Sequence, residues 1–327
     1  MRITLSIAAS VLFSAIPCFG WGQDGHKAVA RLAQSLANPT TVTKVNNMLG
    51  VSHFEDVATW ADDVRSASRH QGPLSDSSTP QGQEAHRINL DFPNNGNWHF
   101  VDLPHGLSGY DDTRAAAFEG NDDIVHAINR NIDVLEGHPA ASDASITKQE
   151  ALRFLIHFVG DIHQPLHCSD QWYTEDGNEN AHAVSIPTPP TNGLLEDRGG
   201  NQLFFTQTKE LHAFWDTTLV KDIENGNSDF EEAVADAVDP SWTTPAGDVH
   251  TWASTWATES FKLGVQAYQG ISFGKVVPQP APKQPKIMIR LPGNYENDED
   301  PIAQTQLAKA GFRLAKLLDA IMPTVTP

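Results

Sequence analysis

Apolar positions along the chain recur mainly at helical spacing. Residues 25–37 place apolar side chains on one face of a helix, and residues 307–321 repeat that pattern. Residues 150–163 are apolar nearly all round, as in a helix that is buried on every side. Strand patterns are short and occur around residues 184–187 and 202–206. The pattern predicts an all-α fold: a single, mostly helical domain with a short β-hairpin.

Polar stretches rich in proline and glycine separate these helical segments. They cover residues 66–97, 168–200 and 277–286, and the last one leads into the acidic stretch 294–300. Such composition is typical of turns and loops. We interpret these stretches as long surface insertions without a core of their own, so the domain stays single.

The amino-terminal twenty residues have the pattern of a cleaved secretory signal. Arg2 precedes an apolar run that ends at Pro17, and a small residue, Gly20, follows. The run is too short for a membrane span. We therefore expect a signal peptide over residues 1–20 and a mature domain over residues 21–327, secreted or periplasmic and without a membrane anchor.

Charge and cysteine content narrow the chemistry. The formal net charge is −19, which is the opposite of the basic surface expected of a protein that holds nucleic acid by its phosphates. Metal ions bound to some of the carboxylates would reverse that local field. The mature chain keeps one cysteine, Cys168, and so has no internal disulfide, which makes bound metal a candidate for added stability.

The buried helix contains two polar residues, His157 and Asp161, four positions apart and therefore on one face. An ionised aspartate in an apolar helix is costly unless it is paired or bound to metal, so a buried His–Asp hydrogen bond is the alternative explanation. His212 and Asp216 repeat the spacing, and His167 follows the buried helix closely. Imidazole and carboxylate ligands without thiolate suit catalytic zinc.

The predicted mature amino terminus offers a further ligand set. Cleavage after residue 20 frees the α-amino group of Trp21, which can chelate a metal together with its own carbonyl oxygen. His26 follows five residues later. The alternative explanation is that Trp21 only packs and that His26 lies on the surface.

Two shorter motifs complete the candidate residues. Asp62 and Arg65 lie three residues apart on one helical face, and His99, Phe100 and Asp102 follow in a segment whose side chains alternate if it is extended. Taken alone, each motif is better explained by a salt bridge or by an ordinary core aromatic residue.

Taken together, the motifs WGxxGH, WADxxR, HFVD, HFVGDxHQPLH, GGN and LHxxWD, in this order, resemble the zinc-dependent S1/P1 nucleases. More distantly, they resemble the phospholipases C that contain three zinc ions. The resemblance extends from Trp21 to the final helical segment, residues 309–321. The absence of paired cysteines and of an N-glycosylation sequon is typical of a bacterial member.

The resemblance implies three zinc ions per chain, with Asp161 bridging the first and the third, and a substrate site beside them. Asp62 and Arg65 would be the catalytic residues, with Arg65 facing the phosphate. Phe100 would stack on a base whose edge hydrogen-bonds to Asp102 and Asn201. The implied zinc ligands are Asp62, His99, His157 and Asp161 for the first ion, His167, His212 and Asp216 for the second, and Trp21 and His26 for the third.

The implied activity is hydrolysis of single-stranded DNA and RNA to 5′-phosphorylated products. The resemblance leaves open whether 3′-nucleotidase activity accompanies it. Two alternatives remain: a phospholipase C with the same cluster, and a secreted zinc-binding protein without catalysis. The phospholipases have glutamate in place of Asp216, and neither Arg65 nor Phe100 is needed merely to hold zinc. Cys168 is a possible extra ligand, whereas His163 should point away from the metals. No protein partner is inferred.

Overall fold

The computed structural model describes residues 20–185, 191, 193–226, 229–281 and 283–322. Within them, the chain forms one mostly helical domain, as the hydrophobic pattern predicts, and its few strands form two small sheets rather than a single hairpin. The predicted signal peptide lies outside the described residues except for Gly20. None of the described helices is both long and apolar enough to cross a membrane.

Helices make up most of the described chain, and a π-helical turn over Phe214–Leu219 joins two of them. In chain order, the helices are α1 (Gly22–Leu36), α2 (Pro39–Leu49), α3 (Trp60–Ala67), α4 (Pro80–Asp91), α5 (Ile124–Glu136), α6 (Lys148–Asp161), α7 (Leu211–Ala213), α8 (Val220–Gly226), α9 (Phe230–Asp236), α10 (Trp252–Ala267) and α11 (Tyr295–Ile321).

In the described part of the chain, the strands form two three-stranded sheets. The first has the order β2-β1-β3 and is antiparallel; in the second, of order β4-β6-β5, β4 runs parallel to β6 and β5 antiparallel to it. The strands are β1 (Trp172–Glu175), β2 (Ala181–Val184), β3 (Leu195–Glu196), β4 (Leu203–Phe204), β5 (Ser272–Val277) and β6 (Lys286–Arg290).

Helix α6 is the centre of the domain. It begins with a capping box in which Thr147 and Glu150 satisfy each other's backbone N–H groups, and it packs against α1, α2, α3, α5 and α11. Because neighbours surround it, His157 and Asp161 are completely buried. The apolar pattern of residues 150–163 thus gave the position of this helix correctly.

Helices α1 and α11 pack closely along each other. Gly311 of α11 faces Leu32 of α1, and a Cβ atom at Gly311 would lie 2.7 Å from Leu32 Cδ2, so the close approach depends on this glycine. The long pairing buries the apolar faces predicted for both helices. It also fixes the start of α1, where Trp21 and His26 lie.

Parts of the predicted insertions form regular structure, and the interpretation of these stretches as surface loops is wrong there. Helix α4 lies within residues 66–97. It begins at Pro80 because the Thr79 hydroxyl accepts a hydrogen bond from Gly82 N and because proline is favoured in the first helical turn. The acidic stretch 294–300 contains the start of α11, where carboxylates favour a helix amino terminus.

Residues 168–200 contain the first sheet, with Tyr173 fully buried against Phe273, so this stretch has a packed interior. The two predicted strands correspond to β2 and β4, although residues 186 and 187 lie outside the described part of the chain. The described residues between β5 and β6, 278–281 and 283–285, form neither helix nor strand, as expected of a Pro-rich loop.

Candidate metal centre and substrate site

Asp161, at the end of α6, is the junction of the predicted metal-binding residues. Its Oδ2 atom lies 2.9 Å from His99 Nδ1 and 3.0 Å from His157 Nε2. Its Oδ1 atom lies 3.2 Å from His26 Nε2 and 3.8 Å from His167 Nδ1. Residues from four separate segments therefore converge on one buried carboxyl group.

Asp62, His99 and His157 form the first group with metal-binding geometry. Asp62, on α3, places its carboxylate oxygens 3.8 Å from His99 Nδ1 and 3.8 Å from His157 Nε2. His157 Nδ1 donates to Ala58 O at 2.7 Å, which directs the Nε2 atom toward the carboxylates.

His167, His212 and Asp216 form the second group. The Nε2 atoms of the two histidines are 3.2 Å apart, and His212 Nε2 lies 3.2 Å from Asp216 Oδ2. Asp216 lies on the π-helical turn, which is wider than an α-helical turn. The predicted pairing of Asp216 with His212, four residues earlier, forms nevertheless. His167 and His212 donate from Nδ1 to His99 O and Gly199 O, which leaves both Nε2 atoms facing inward.

His26, His157 and Asp161 form the third group, in which His26 stacks on His157 with ring centroids 3.9 Å apart. Trp21 is fully buried, and its indole Nε1 donates to Gly160 O at 3.0 Å. A Cβ atom at Gly160 would lie 2.8 Å from His26 Nδ1, so this glycine admits the ring. The structure thus places both amino-terminal candidates beside α6.

Burial and the neighbouring carboxylates together set the protonation of these histidines. Desolvation lowers the pKa of His26 to about 4 and that of His99 to about 3, so both rings are neutral and able to bind metal. Desolvation would also lower the pKa of His157, but Asp161 and Asp62 outweigh it and raise that pKa to about 9. Burial alone would raise the pKa of Asp161, whereas His157 helps to hold it well below its ordinary value.

The donor atoms at the centre fit zinc. His26 Nδ1 and Nε2, His157 Nε2 and Asp161 Oδ1 are buried and make no hydrogen bond within the described residues. Unsatisfied buried polar atoms are costly, and a cation among them would satisfy them. Nitrogen and carboxylate oxygen donors without sulfur are the ligands of catalytic zinc.

Two of the predicted substrate residues, Arg65 and Phe100, lie close in the chain to residues of the first group, Asp62 and His99. Arg65 lies on α3, nearly buried, and its charge acts on His99. His99 is buried, Phe100 partly exposed and Asp102 partly exposed, which agrees with the predicted alternation. Asn201 is also partly exposed, and its Nδ2 donates to Arg198 O at 2.8 Å.

The family model described as S1/P1 Nuclease matches residues 21–323. The chain belongs to the S1/P1 nuclease family. Nuclease S1 of Aspergillus oryzae is 27% identical, over 97% of this chain and 97% of that protein. Endonuclease 2 of Arabidopsis thaliana is 26% identical, over 98% and 96%. Nuclease P1 of Penicillium citrinum is 26% identical, over 92% and 97%.

Membership confirms the resemblance inferred from the motifs and, with it, the expectation of a hydrolytic nuclease with a mostly helical domain. It also favours a nuclease over the phospholipase alternative. S1/P1 nucleases as a class depend on zinc, which agrees with the donor atoms described above.

Cys168 and His163 lie close to predicted ligands in the sequence, but both contact groups outside the candidate metal centre. Cys168 is buried, and its Sγ donates to Ile162 O at 3.5 Å, apart from the described metal-type groups. His163 donates from Nδ1 to Val159 O, while its Nε2 accepts from Arg313 Nη1 at 3.0 Å. As expected, His163 points away from the candidate metals.

Gln164 is a functional candidate that the sequence did not single out. It is fully buried; its Nε2 donates to Asp216 Oδ1 at 2.7 Å, and its Oε1 accepts from Leu166 N at 2.6 Å. The amide therefore orients a carboxylate of the second group. The available signal was an amide beside a helix-ending proline, Pro165, which is too common to indicate this role.

Substituting methionine for Gln164 should weaken zinc binding at the second group by about 10–100-fold, because Asp216 loses the group that orients it. Competition with a chromogenic chelator measures this affinity. Gln149→Met, near the start of α6, is the matched control, because Gln149 donates to Leu49 O and contacts none of the described metal groups. Equal zinc affinities of the two variants would contradict the assigned role.

Proposed function

We propose that this S1/P1 family member is a secreted or periplasmic phosphodiesterase that hydrolyses single-stranded DNA and RNA with three zinc ions. The observation that carries the proposal is the presence of three buried His/Asp groups, two of which share Asp161, in a chain of this family. The signal-like first twenty residues support export, and the mature chain would then begin at Trp21.

The zinc ions would be held by the three groups, with the backbone nitrogen and oxygen of Trp21 joining the third. When bound, zinc would supply Lewis-acid chemistry, which stabilises charge on the phosphate and makes water a better nucleophile near neutral pH. The ions would also offset the net charge of −19 where the polyanion approaches. The ligands are Asp62, His99, His157, Asp161, His167, His212, Asp216, Trp21 and His26.

The chain's own residues would position the substrate. Arg65 supplies a fixed positive charge beside the first group and would bind the scissile phosphate. Phe100 is partly exposed and would stack on a base, whose edge Asp102 and Asn201 would recognise. Asp62 is nearly buried and would hold a proton of the attacking water.

This geometry would favour unpaired strands. A base must leave a duplex before it stacks on Phe100, and stacking contributes roughly 1–3 kcal/mol per base. Products would carry 5′ phosphates, and the same centre would act on the 3′ phosphate of a mononucleotide, which is 3′-nucleotidase activity.

Elemental analysis of the mature protein should give three zinc ions per molecule, and single-stranded DNA and RNA should be cut faster than duplex. Chelator should abolish cleavage and lower the melting temperature, because ligands from distant segments hold the fold together. Zinc with cleavage of phosphatidylcholine alone would support the phospholipase, and zinc without any phosphodiesterase activity would support a zinc-binding protein. Absence of zinc would overturn the site.

A further inference from the structure

A pair of buried carboxyl groups, those of Asp170 and Asp197, lies outside the metal groups. Both residues are completely buried, and their side chains are within hydrogen-bonding reach of each other. Two carboxyl groups can hydrogen-bond to each other only if one of them carries a proton. The fold therefore holds a carboxylic acid next to a carboxylate.

Asp197 has the surroundings of the carboxylate. Its Oδ2 accepts from Tyr173 OH at 3.0 Å, and its Oδ1 accepts from Tyr268 OH at 3.1 Å and from Gly200 N at 3.0 Å. Several donors directed at one group stabilise its charged form. Burial raises the pKa of Asp197 as well, but these donors oppose that rise, whereas the pKa of Asp170 is raised well above its ordinary value; Asp197 is therefore the acceptor in the pair.

Asp170 has the surroundings of the acid. Its Oδ1 accepts a single hydrogen bond, from Arg198 N at 2.8 Å, and no N–H or O–H group of the described residues donates to its Oδ2. Burial, followed by the nearby Asp197, raises the pKa of Asp170 well above its ordinary value. The titratable groups that face the pair are Asp102, Glu196, Arg198, Tyr173, Tyr268 and, across the Tyr268 ring, His105.

The main chain of Asp170 is fixed to the segment that carries Asp102. Asp170 N donates to Leu103 O at 2.9 Å, and Asp170 O accepts from His105 N at 3.0 Å. A bridge between Pro104 and Asp170 completes the pairing. The position of Asp170 therefore follows that of the residues just after Asp102.

The side chain of Asp170 holds the turn that carries Asn201. Arg198, Gly199 and Gly200 have φ values of 58°, 61° and 82°, and such a backbone is strained for arginine. A strained turn keeps its shape only when its backbone groups are anchored. Asp170 anchors Arg198 N, and Asp197 anchors Gly200 N.

We propose that Asp170, as a neutral acid, is a positioning residue that fixes the spacing between Asp102 and Asn201, and thereby shapes the site for a nucleobase. Its main chain holds the segment that follows Asp102, and its carboxyl group holds the turn that precedes Asn201. The inference rests on the proposed function, because it assigns these two residues to base recognition. Binding of a nucleotide and binding of inorganic phosphate are therefore measured separately.

Substituting alanine for Asp170 should raise the KM for a single-stranded oligonucleotide about tenfold, with kcat changed less than about twofold. The dissociation constant of deoxyadenosine 5′-monophosphate should rise by about the same factor, whereas that of inorganic phosphate should not change. Zinc content should stay that of the wild type. Asp176→Ala, in the exposed turn between β1 and β2, is the control and should behave as wild type.

Substituting asparagine for Asp170 tests the protonation state without relying on activity. An amide keeps one acceptor for Arg198 N and one donor for Asp197, so binding and KM should match the wild type. The folded wild type retains a proton that the unfolded chain releases above about pH 4, so its stability falls as pH rises. The measurement is the difference between the melting temperatures of Asp170→Asn and of the wild type at saturating zinc. This difference should therefore change in favour of Asp170→Asn by several degrees between about pH 5 and about pH 8.

These outcomes are distinguishable. A pH-independent difference in melting temperature would show that Asp170 is not a neutral acid and would overturn the inference, even if Asp170→Ala does not fold. Unchanged nucleotide binding in a folded Asp170→Ala would overturn the positioning role while the nuclease assignment stands. Failure of the wild type itself to bind or cleave nucleotides would overturn the proposed function, and the base-site role with it.

Discussion

Substituting asparagine for Asp161 should reduce nuclease activity by about a thousandfold or more and lower the zinc content by more than one ion. Asp161 lies within 3.2 Å of His26, His99 and His157, so it serves two of the three groups. Asparagine retains the size but not the charge, and the lost electrostatic stabilisation, ~4 kcal/mol, corresponds to about three orders of magnitude in rate. Elemental analysis and single-turnover cleavage of a labelled oligonucleotide measure both effects.

The control for Asp161→Asn is Asp133→Asn. Asp133 also lies 2.9 Å from a histidine, His250, but the pair is partly exposed and belongs to a surface group with Glu136. We expect zinc content and activity of the control to match the wild type. Wild-type zinc content in Asp161→Asn would refute the junction role of this carboxylate.

Adding one alanine before Trp21 should reduce the zinc content by one ion and activity by about a hundredfold, ~3 kcal/mol. The residue before Trp21, Gly20, is buried, and a Cβ atom there would overlap Asp161 Oδ1 and lie 2.8 Å from His26 Nε2. An alanine at this position would occupy the space beside the third group and convert the chelating amine into an amide. Protease-released fusions beginning at Trp21 or at Ala–Trp21 allow the comparison.

A chain that begins with phenylalanine in place of Trp21 separates the amine from the indole. This variant keeps the free amino group but loses the hydrogen bond from Trp21 Nε1 to Gly160 O. It should retain three zinc ions and melt at a lower temperature. Full zinc content and activity in the alanine-extended chain would exclude the terminal amine as a ligand.

Local spacing was sufficient to predict part of the site. His157 and Asp161 stand out because the residues around them are apolar on nearly every side of the helix, and helical geometry places the two on one face. His212 and Asp216 follow the same rule even though their turn is π-helical. The position of His26 could not be predicted in this way, because the packing of α1 on α6 brings it to Asp161.

Non-local pairing explains what the sequence did not reveal. Asp170 and Asp197 lie in a stretch whose glycine and proline content indicated a loop, and only the strand pairing around Tyr173 buries them together. Helix α4 was missed for a different reason: Thr79 followed by Pro80 is a helix-start signal that the surrounding turn residues obscured.

The pairing of α1 with α11 has a consequence for how the chain folds. These helices lie more than 250 residues apart in the sequence, so their contact closes one of the largest loops available to this chain. Such long-range contacts slow folding, and α1 cannot be packed on α11 until synthesis is nearly finished. Because α1 carries His26, the third metal group should be the last to assemble. The order in which the groups form would then follow the completion of the chain and not the positions of the ligands along the sequence.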